Sequence, residues 1–264
     1  NFFPVLVYQE KNCVHNHADE IAQMGKNALI VTGRNSSKKN GSLDDVINAL
    51  KSKNIKYTVY DGVEENPSVE TVMEAREIGV KAGCDFIIGI GGGSPMDAAK
   101  AIGVMIYHKN ENKDFLYKSV SNSQSLPVIE VPTTCGTGSE VTTVAVLTVH
   151  NEKTKKSMSH RIFPRMALVD EKYIKNAPLK VICDTAIDAL AHIVESCINN
   201  NATEYSKMFA KEGLEAWSKF KDVLLGNREA TDEDFHNMMY ASTLAGMART
   251  MCDYSCCQLK YRRQ

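Results

Sequence analysis

The sequence has no apolar run approaching the roughly 18 residues that a membrane helix needs, so no span is expected. It has no excess of either charge. Its 31 Lys and Arg stand against 32 Asp and Glu, a formal net charge of −1. That excludes a global field favouring nucleic acid or an anionic bilayer. The opening NFFPVLVYQEKNC lacks the basic start and cleavage site of a secretory signal. Internal repeats and low-complexity segments are also missing. Cysteines form no paired framework: of eight, Cys13, Cys84, Cys135, Cys183 and Cys197 are scattered, and only Cys252, Cys256 and Cys257 cluster. Reduced thiols and a cytoplasmic location are the expectation. Two nucleotide fingerprints are absent as well. The turn after the ALIVT strand, TGRNSS, carries only Gly33, and no Gly-Lys-Ser/Thr follows the later glycine run. What remains, with 43% hydrophobic and 24% charged residues, is an ordinary globular chain of one large or two medium domains.

The most informative stretch is DFIIGIGGGSPMDAAKAIG, Asp85 to Gly103. Phe86 to Ile90 is short, apolar and β-branched, as suits a strand buried on both faces. Gly91, Gly92 and Gly93 permit a sharp turn and put no side chain in a ligand's way. Ser94 and Pro95 read as the N-cap and first residue of a helix. Strand, glycines and helix N-terminus together make a phosphate-binding arrangement. A plain strand–helix turn is the other reading, but it needs fewer glycines.

Around this stretch the chain alternates. Val5–Tyr8, Ala28–Thr32, Lys56–Tyr60, Leu126–Val131 and Met166–Asp170 read as strands. Helices are expected near His17–Met24, from Ser42 to Lys51, after Asn66-Pro67-Ser68, and from Ser94 to Tyr107. Val69, Val72, Met73 and Val80 mark the buried side of the third of these. Val144–Val149 alternates like a solvated strand, with HNEKTKK as a polar hairpin tip. This order implies an α/β fold with a Rossmann-like parallel sheet over residues 1–178. From Val181 onward only helical periodicity remains, so residues 179–264 read as a second, partial helical domain.

PTTCGTGSE, Pro132 to Glu140, follows a strand at its carboxyl end, where open α/β sheets bind ligands. Its hydroxyls could serve a second phosphate or a carboxamide, or simply form a polar turn. Cys135 has no partnered base, which argues against a nucleophile. In DTAIDALAHIVE, Asp188 and His192 share one helix face and could grip one divalent cation. Equally, they could be a surface pair or a core histidine with its hydrogen bond satisfied. Two donors are fewer than a catalytic metal site generally uses.

Three stretches in order, GGGSPMDAAKAIG, VPTTCGTGSEVT and DTAIDALAHIVESC, resemble the iron-containing (group III) alcohol dehydrogenases, as does KNALIVTG before and including Gly33. The resemblance covers about residues 5 to 248. Glycerol dehydrogenases and dehydroquinate synthases share the glycine loop, but the second and third motifs favour the alcohol dehydrogenase branch. The resemblance implies oxidation of an alcohol by NAD(P)+, or reduction of an aldehyde, in a cleft between the two domains. It implies that Gly92, Gly93 and Ser94 hold the pyrophosphate and that Asp97 lies towards the nicotinamide. Thr133, Thr134 and Thr137 would line the cofactor, with Leu179 near the adenosine. A lysine of the Lys153–Lys156 run would be a further cofactor contact. Asp188 and His192 would be the first two ligands of Fe2+ or Zn2+, which would polarise the alcohol oxygen. Gly33 carries no charge to repel a 2′-phosphate, and Arg34 with Lys38 or Lys39 could attract one, so NADP is favoured over NAD. A homodimer is a family-level expectation. Partners are small alcohols or aldehydes, with no nucleic acid or membrane.

The sequence departs from the family after LAGMA, Leu244 to Ala248. The family's two remaining metal ligands are histidines beyond this point, and none follows His236 here. From about residue 249 the tail reads as foreign to the family, as in a C-terminally truncated chain. Such a chain would expose Val194, Met208, Trp217 and Met239, and the alternative function is an inactive dinucleotide-binding remnant. Cys252, Cys256 and Cys257 do not match a common zinc spacing.

Overall fold

The computed structural model describes residues 3–261, with side chains described through residue 252. In chain order the strands are β1 (Leu6–Gln9), β2 (Asn27–Gly33), β3 (Lys56–Val63), β4 (Phe86–Gly91), β5 (Val128–Pro132), β6 (Val146–Val149), β7 (Thr154–Ser157) and β8 (Met166–Val169). Six of them form one parallel sheet in the order β1-β8-β5-β4-β2-β3. The helices before residue 178 are α1 (Cys13–Asn16), α2 (Ala18–Ala22), α3 (Ser36–Lys39), α4 (Ser42–Ser52), α5 (Val69–Ala82) and α6 (Gly93–Tyr107).

Each strand supplies two cores because successive side chains leave opposite faces. Ala28, Ile30, Phe86, Ile88 and Ile90 pack with Val46 and Leu50 of α4 on one face. Leu29, Val31 and Ile87 pack with Val72 of α5 and Ala98, Ile102 and Met105 of α6 on the other. Every residue of β4 is buried. Each fully buried Ile or Leu here contributes roughly 1.5–3 kcal/mol. Chain order reverses at β2, which has β3 on one side and β4 on the other. A crevice therefore opens at the carboxyl ends of β2 and β4.

Several local expectations need correcting. The N-cap of α6 is Gly92, not Ser94, and Gly93 is already helical. Glycine absorbs the turn two residues earlier, which leaves the Ser94 hydroxyl free to accept the Asn66 N–H at 3.1 Å. α5 does start behind Ser68, whose hydroxyl accepts the Thr71 N–H, but Val80 is exposed rather than buried. β5 begins at Val128, two residues late, because Pro127 has no N–H for the ladder. HNEKTKK is only half a hairpin tip, since β7 starts at Thr154 and pairs with β6. This hairpin docks on the β3–α5 connection. Thr148 donates to Pro67 and Asn66 carbonyls, and Lys155 reaches the Asn66 side chain at 2.8 Å.

From Leu179 on, the described elements are helices: α7 (Leu179–Ile198), α8 (Glu204–Lys219), α9 (Lys221–Leu224) and α10 (Asp232–Tyr261). Ile182, Ala186, Ala189 and Ile193 form the buried stripe of α7, at helical spacing. The expectation of exposure holds for Val194 and Met208. It fails for Met239, which is buried, and for Trp217, which packs on the same core and donates its indole N–H to the Ala186 carbonyl at 2.7 Å. α10 covers α7 and α8 and so supplies the missing neighbours. The side chains of Cys256 and Cys257 lie outside the described residues. No described helix is long and apolar enough to cross a membrane.

Candidate functional site

The glycine turn is tight for identifiable reasons. Gly91 has φ of +148°, and a Cβ there would lie 2.7 Å from the Pro95 ring. A Cβ on Gly93 would meet Thr137 at 2.8 Å, and one on Gly92 would meet Thr134 at 3.2 Å. The loop after β5 is thus packed against the loop after β4, and the Thr133 N–H donates to the Gly91 carbonyl at 2.8 Å. The first N–H groups of a helix have no partner within it, and those of α6 begin at this turn.

Two cavities flank this pair of loops. The larger, about 450 Å³, has Gly92, Thr133 and Thr134 on one wall and Lys39, Tyr173 and Val181 on others. The smaller, about 200 Å³, is lined by Asp97, Thr137, Ser139, Asp188, His192 and Arg249. Thr133 and Thr137 therefore belong to different cavities on either side of one loop. Leu179 is exposed and lies outside the lining of the larger cavity. Gly33 ends β2 beside the Val63 carbonyl. Lys38 is tied to Asp61 at 2.5 Å, so of the lysines named for a 2′-phosphate only Lys39 faces the cavity.

Beneath the loops lies a buried charge network that sequence reasoning missed. The fully buried Lys100 ammonium donates to the Ser139 carbonyl at 2.6 Å, the Ser139 hydroxyl at 2.7 Å and the Val144 carbonyl at 3.0 Å. Thr142 Oγ1 lies a little farther, at 3.3 Å. Ser139 in turn donates to Asp97 at 2.6 Å, and the other Asp97 oxygen accepts the Val146 N–H at 2.8 Å. Both Asp97 oxygens are thereby engaged. Glu140 accepts from Thr243 of α10 at 2.8 Å. Burial pushes the Asp97, Glu130 and Glu140 carboxyls up and the Lys100 ammonium down, each towards its neutral form. A lysine and three acids scattered from residue 97 to residue 140 leave no local pattern to read.

Glu130 is the extreme member. It is fully buried, its two oxygens have no hydrogen-bond partner, and its carboxylate occupies the space a Cβ on Gly89 would need. Its folded pKa lies well above the ordinary 4.5, chiefly through burial. The folded state then holds this proton more tightly than the unfolded chain does. The contribution is fully present below about pH 4.5 and is lost as pH rises towards the folded pKa. Glu130→Gln should flatten the fall in stability above about pH 5, removing a slope of up to about 1.4 kcal/mol per pH unit. Urea titrations at successive pH values check this; parallel wild-type and variant curves would refute it.

On the opposite wall, α7 presents Asp188 and His192 one turn apart. His192 Nε2 is 3.7 Å from Asp188 Oδ1 and 2.7 Å from Arg249 Nη1 on α10. A guanidinium only donates, so Nε2 accepts and the neutral ring carries its proton on Nδ1. Burial holds the His192 pKa below its usual value; Asp188 opposes this and Arg249 reinforces it. Arg249 was read only as the start of the foreign tail. Cys135 is buried against Thr185, and its thiol is pushed up to about 11 by burial, which disfavours a thiolate. His236 lies elsewhere, half exposed beside Glu171.

Comparison with known proteins gives a consistent result. Residues 4–171 match the family model described as iron-containing alcohol dehydrogenase, and residues 182–255 match the family's C-terminal model. The chain is 34% identical over 230 residues to an NADPH-dependent butanol dehydrogenase of Clostridium saccharobutylicum, covering 85% of this chain and 58% of that protein. It superposes on an iron-containing alcohol dehydrogenase of Thermotoga maritima with TM-score 0.88 and 38% identity, covering 94% of this chain and 68% of that one. A sulfoacetaldehyde reductase of Bifidobacterium kashiwanohense in complex with NAD+ gives TM-score 0.83 and 26% identity, covering 95% and 66%. The chain spans little more than half the length of the curated relatives it matches.

Proposed function

The chain belongs to the iron-containing alcohol dehydrogenase family, and from that premise we propose that it binds a nicotinamide dinucleotide across the carboxyl ends of β2, β4 and β5. Its activity would be hydride transfer between that cofactor and the carbinol carbon of a small alcohol, or the reverse reduction of an aldehyde. The observation that carries this reading is the pair of cavities on either side of the Thr133–Ser139 loop, beside the glycine turn. Gly92, Gly93 and Ser94 would bring main-chain N–H groups and the α6 dipole to the pyrophosphate. Thr133, Thr134 and Lys39 would face the adenosine half. Asp97 and Thr137 would flank the nicotinamide end, opposite Asp188 and His192, where the substrate oxygen would lie.

The donor set does not fit a bound iron or zinc. Asp188 and His192 are two donors, both Asp97 oxygens are already engaged, and no group of three or more candidate ligands occurs among the described residues. The Arg249–His192 contact favours a second reading, cofactor binding without turnover. Titration of the intrinsic NADPH fluorescence, followed by NADPH-linked reduction of butanal, separates the two. Saturable binding with turnover supports the dehydrogenase, binding alone supports the second reading, and no binding sinks both.

A preference for NADP(H) rests on the uncharged Gly33 and on Lys39 in the cavity wall. Lys39→Ala should weaken NADPH about tenfold, the worth of one charge-assisted phosphate contact, and leave NADH nearly unchanged. Equal losses for both cofactors would refute the role of Lys39.

A further inference from the structure

We infer that Arg249 takes the position a divalent cation would occupy between Asp188 and His192, so that this chain binds its dinucleotide without retaining a metal. The inference rests on the family reading above for the identity of the two donors, but not on turnover. Its first support is contact geometry. Arg249 Nη1 lies 2.7 Å from His192 Nε2, the same ring nitrogen that faces Asp188. The lone pair that would bind a metal is already accepting a hydrogen bond.

The second support is charge. Asp97 and Asp188 line this cavity with one guanidinium between its walls, and a divalent ion would meet that positive charge at contact distance. The third is the lack of a replacement donor among the described residues. Asp97 is committed to Ser139 and Val146, and Glu140 to Thr243. Displacing Arg249 would still leave two ligands, too few for a fixed tetrahedral site.

The geometry also says how to restore one. An imidazole reaches about 2 Å less far from the backbone than a guanidinium, about one metal–nitrogen bond. Arg249→His would therefore end about one metal–nitrogen bond short of the place Nη1 now holds, giving a cation at that place a third donor. The full chain and this variant are each equilibrated with Co2+ or Zn2+, dialysed, and analysed for metal by mass spectrometry. Wild type should retain little metal. Arg249→His should bind on the order of tenfold tighter or better, and adding His192→Ala should abolish the gain. Wild type that keeps a full equivalent, with the same content in Arg249→Ala, overturns the inference. If the histidine variant fails to fold, the 15N spectrum of the wild-type histidines decides: an Nδ1-protonated His192 unchanged by added Zn2+ supports it, and a Zn2+-shifted Nε2 refutes it. NADPH titration on the same samples tests the cofactor reading separately, and its failure would leave the metal result standing.

Discussion

Gly92→Val should weaken dinucleotide binding on the order of 100-fold, about 2.7 kcal/mol, while the chain still folds. Gly92 caps α6 with φ of −79°, a conformation open to any residue. The nearest atoms to a Cβ there would be those of the Thr134 side chain, at 3.2 Å, and Thr134 can give by a few tenths of an ångström. The added methyls would instead project into the larger cavity, which Gly92 lines. They would stand between a pyrophosphate and the main-chain N–H groups at the start of α6, which is the approach a glycine permits. Fluorescence titration with NADPH measures the loss, and a circular dichroism melt confirms the fold. Undiminished affinity would mean that the cofactor does not sit on this helix end.

Gly246→Ala should cost about 2 kcal/mol of stability and lower the melting temperature by about 5 °C. Helix propensity argues the other way, since alanine inside a helix gains roughly 0.5–1 kcal/mol over glycine. Packing decides. A Cβ on Gly246 would lie 2.5 Å from the Gly138 carbonyl oxygen and 2.9 Å from its Cα. That neighbour is main chain in a loop turned at φ of +59°, so it cannot swing aside as a side chain could. The contact is where α10 meets the loop after β5. A melting temperature equal to or above wild type would show that loop and helix separate without cost.

The parts of this molecule that were readable in advance obey local rules. The short apolar runs Ala28–Thr32 and Phe86–Ile90 and the glycine run both depend on neighbours in sequence, and the strands and turn are close to where they were expected. Asp188 and His192 were paired by helical arithmetic, and the helix brings them to one cavity. Ser94 misled because a hydroxyl is a good cap only if the turn ends there, and glycine ended it sooner. Val80 misled because its helical stripe says nothing about how far the neighbouring elements extend. Lys100, Glu130 and Arg249 could not be found from sequence. Their roles depend on residues 39, 30 and 57 positions away that the fold alone brings into contact.

Lys100 gives this arrangement a property that neither cavity has alone. One ammonium gathers acceptors from Ser139 through Val144, and Ser139 is bound in turn to Asp97 on the glycine-capped helix. Removing that cation would strand several buried oxygens together, so the segment orders or melts as a unit. Its preceding residues, Thr133 to Thr137, form walls of both cavities. A ligand that stiffens the segment from the larger cavity thereby lowers the entropic cost of occupying the smaller one, and by reciprocity the second ligand tightens the first. Cooperativity between ligands of the two cavities would need no moving domain; a single fastened loop shared by two hollows would be enough.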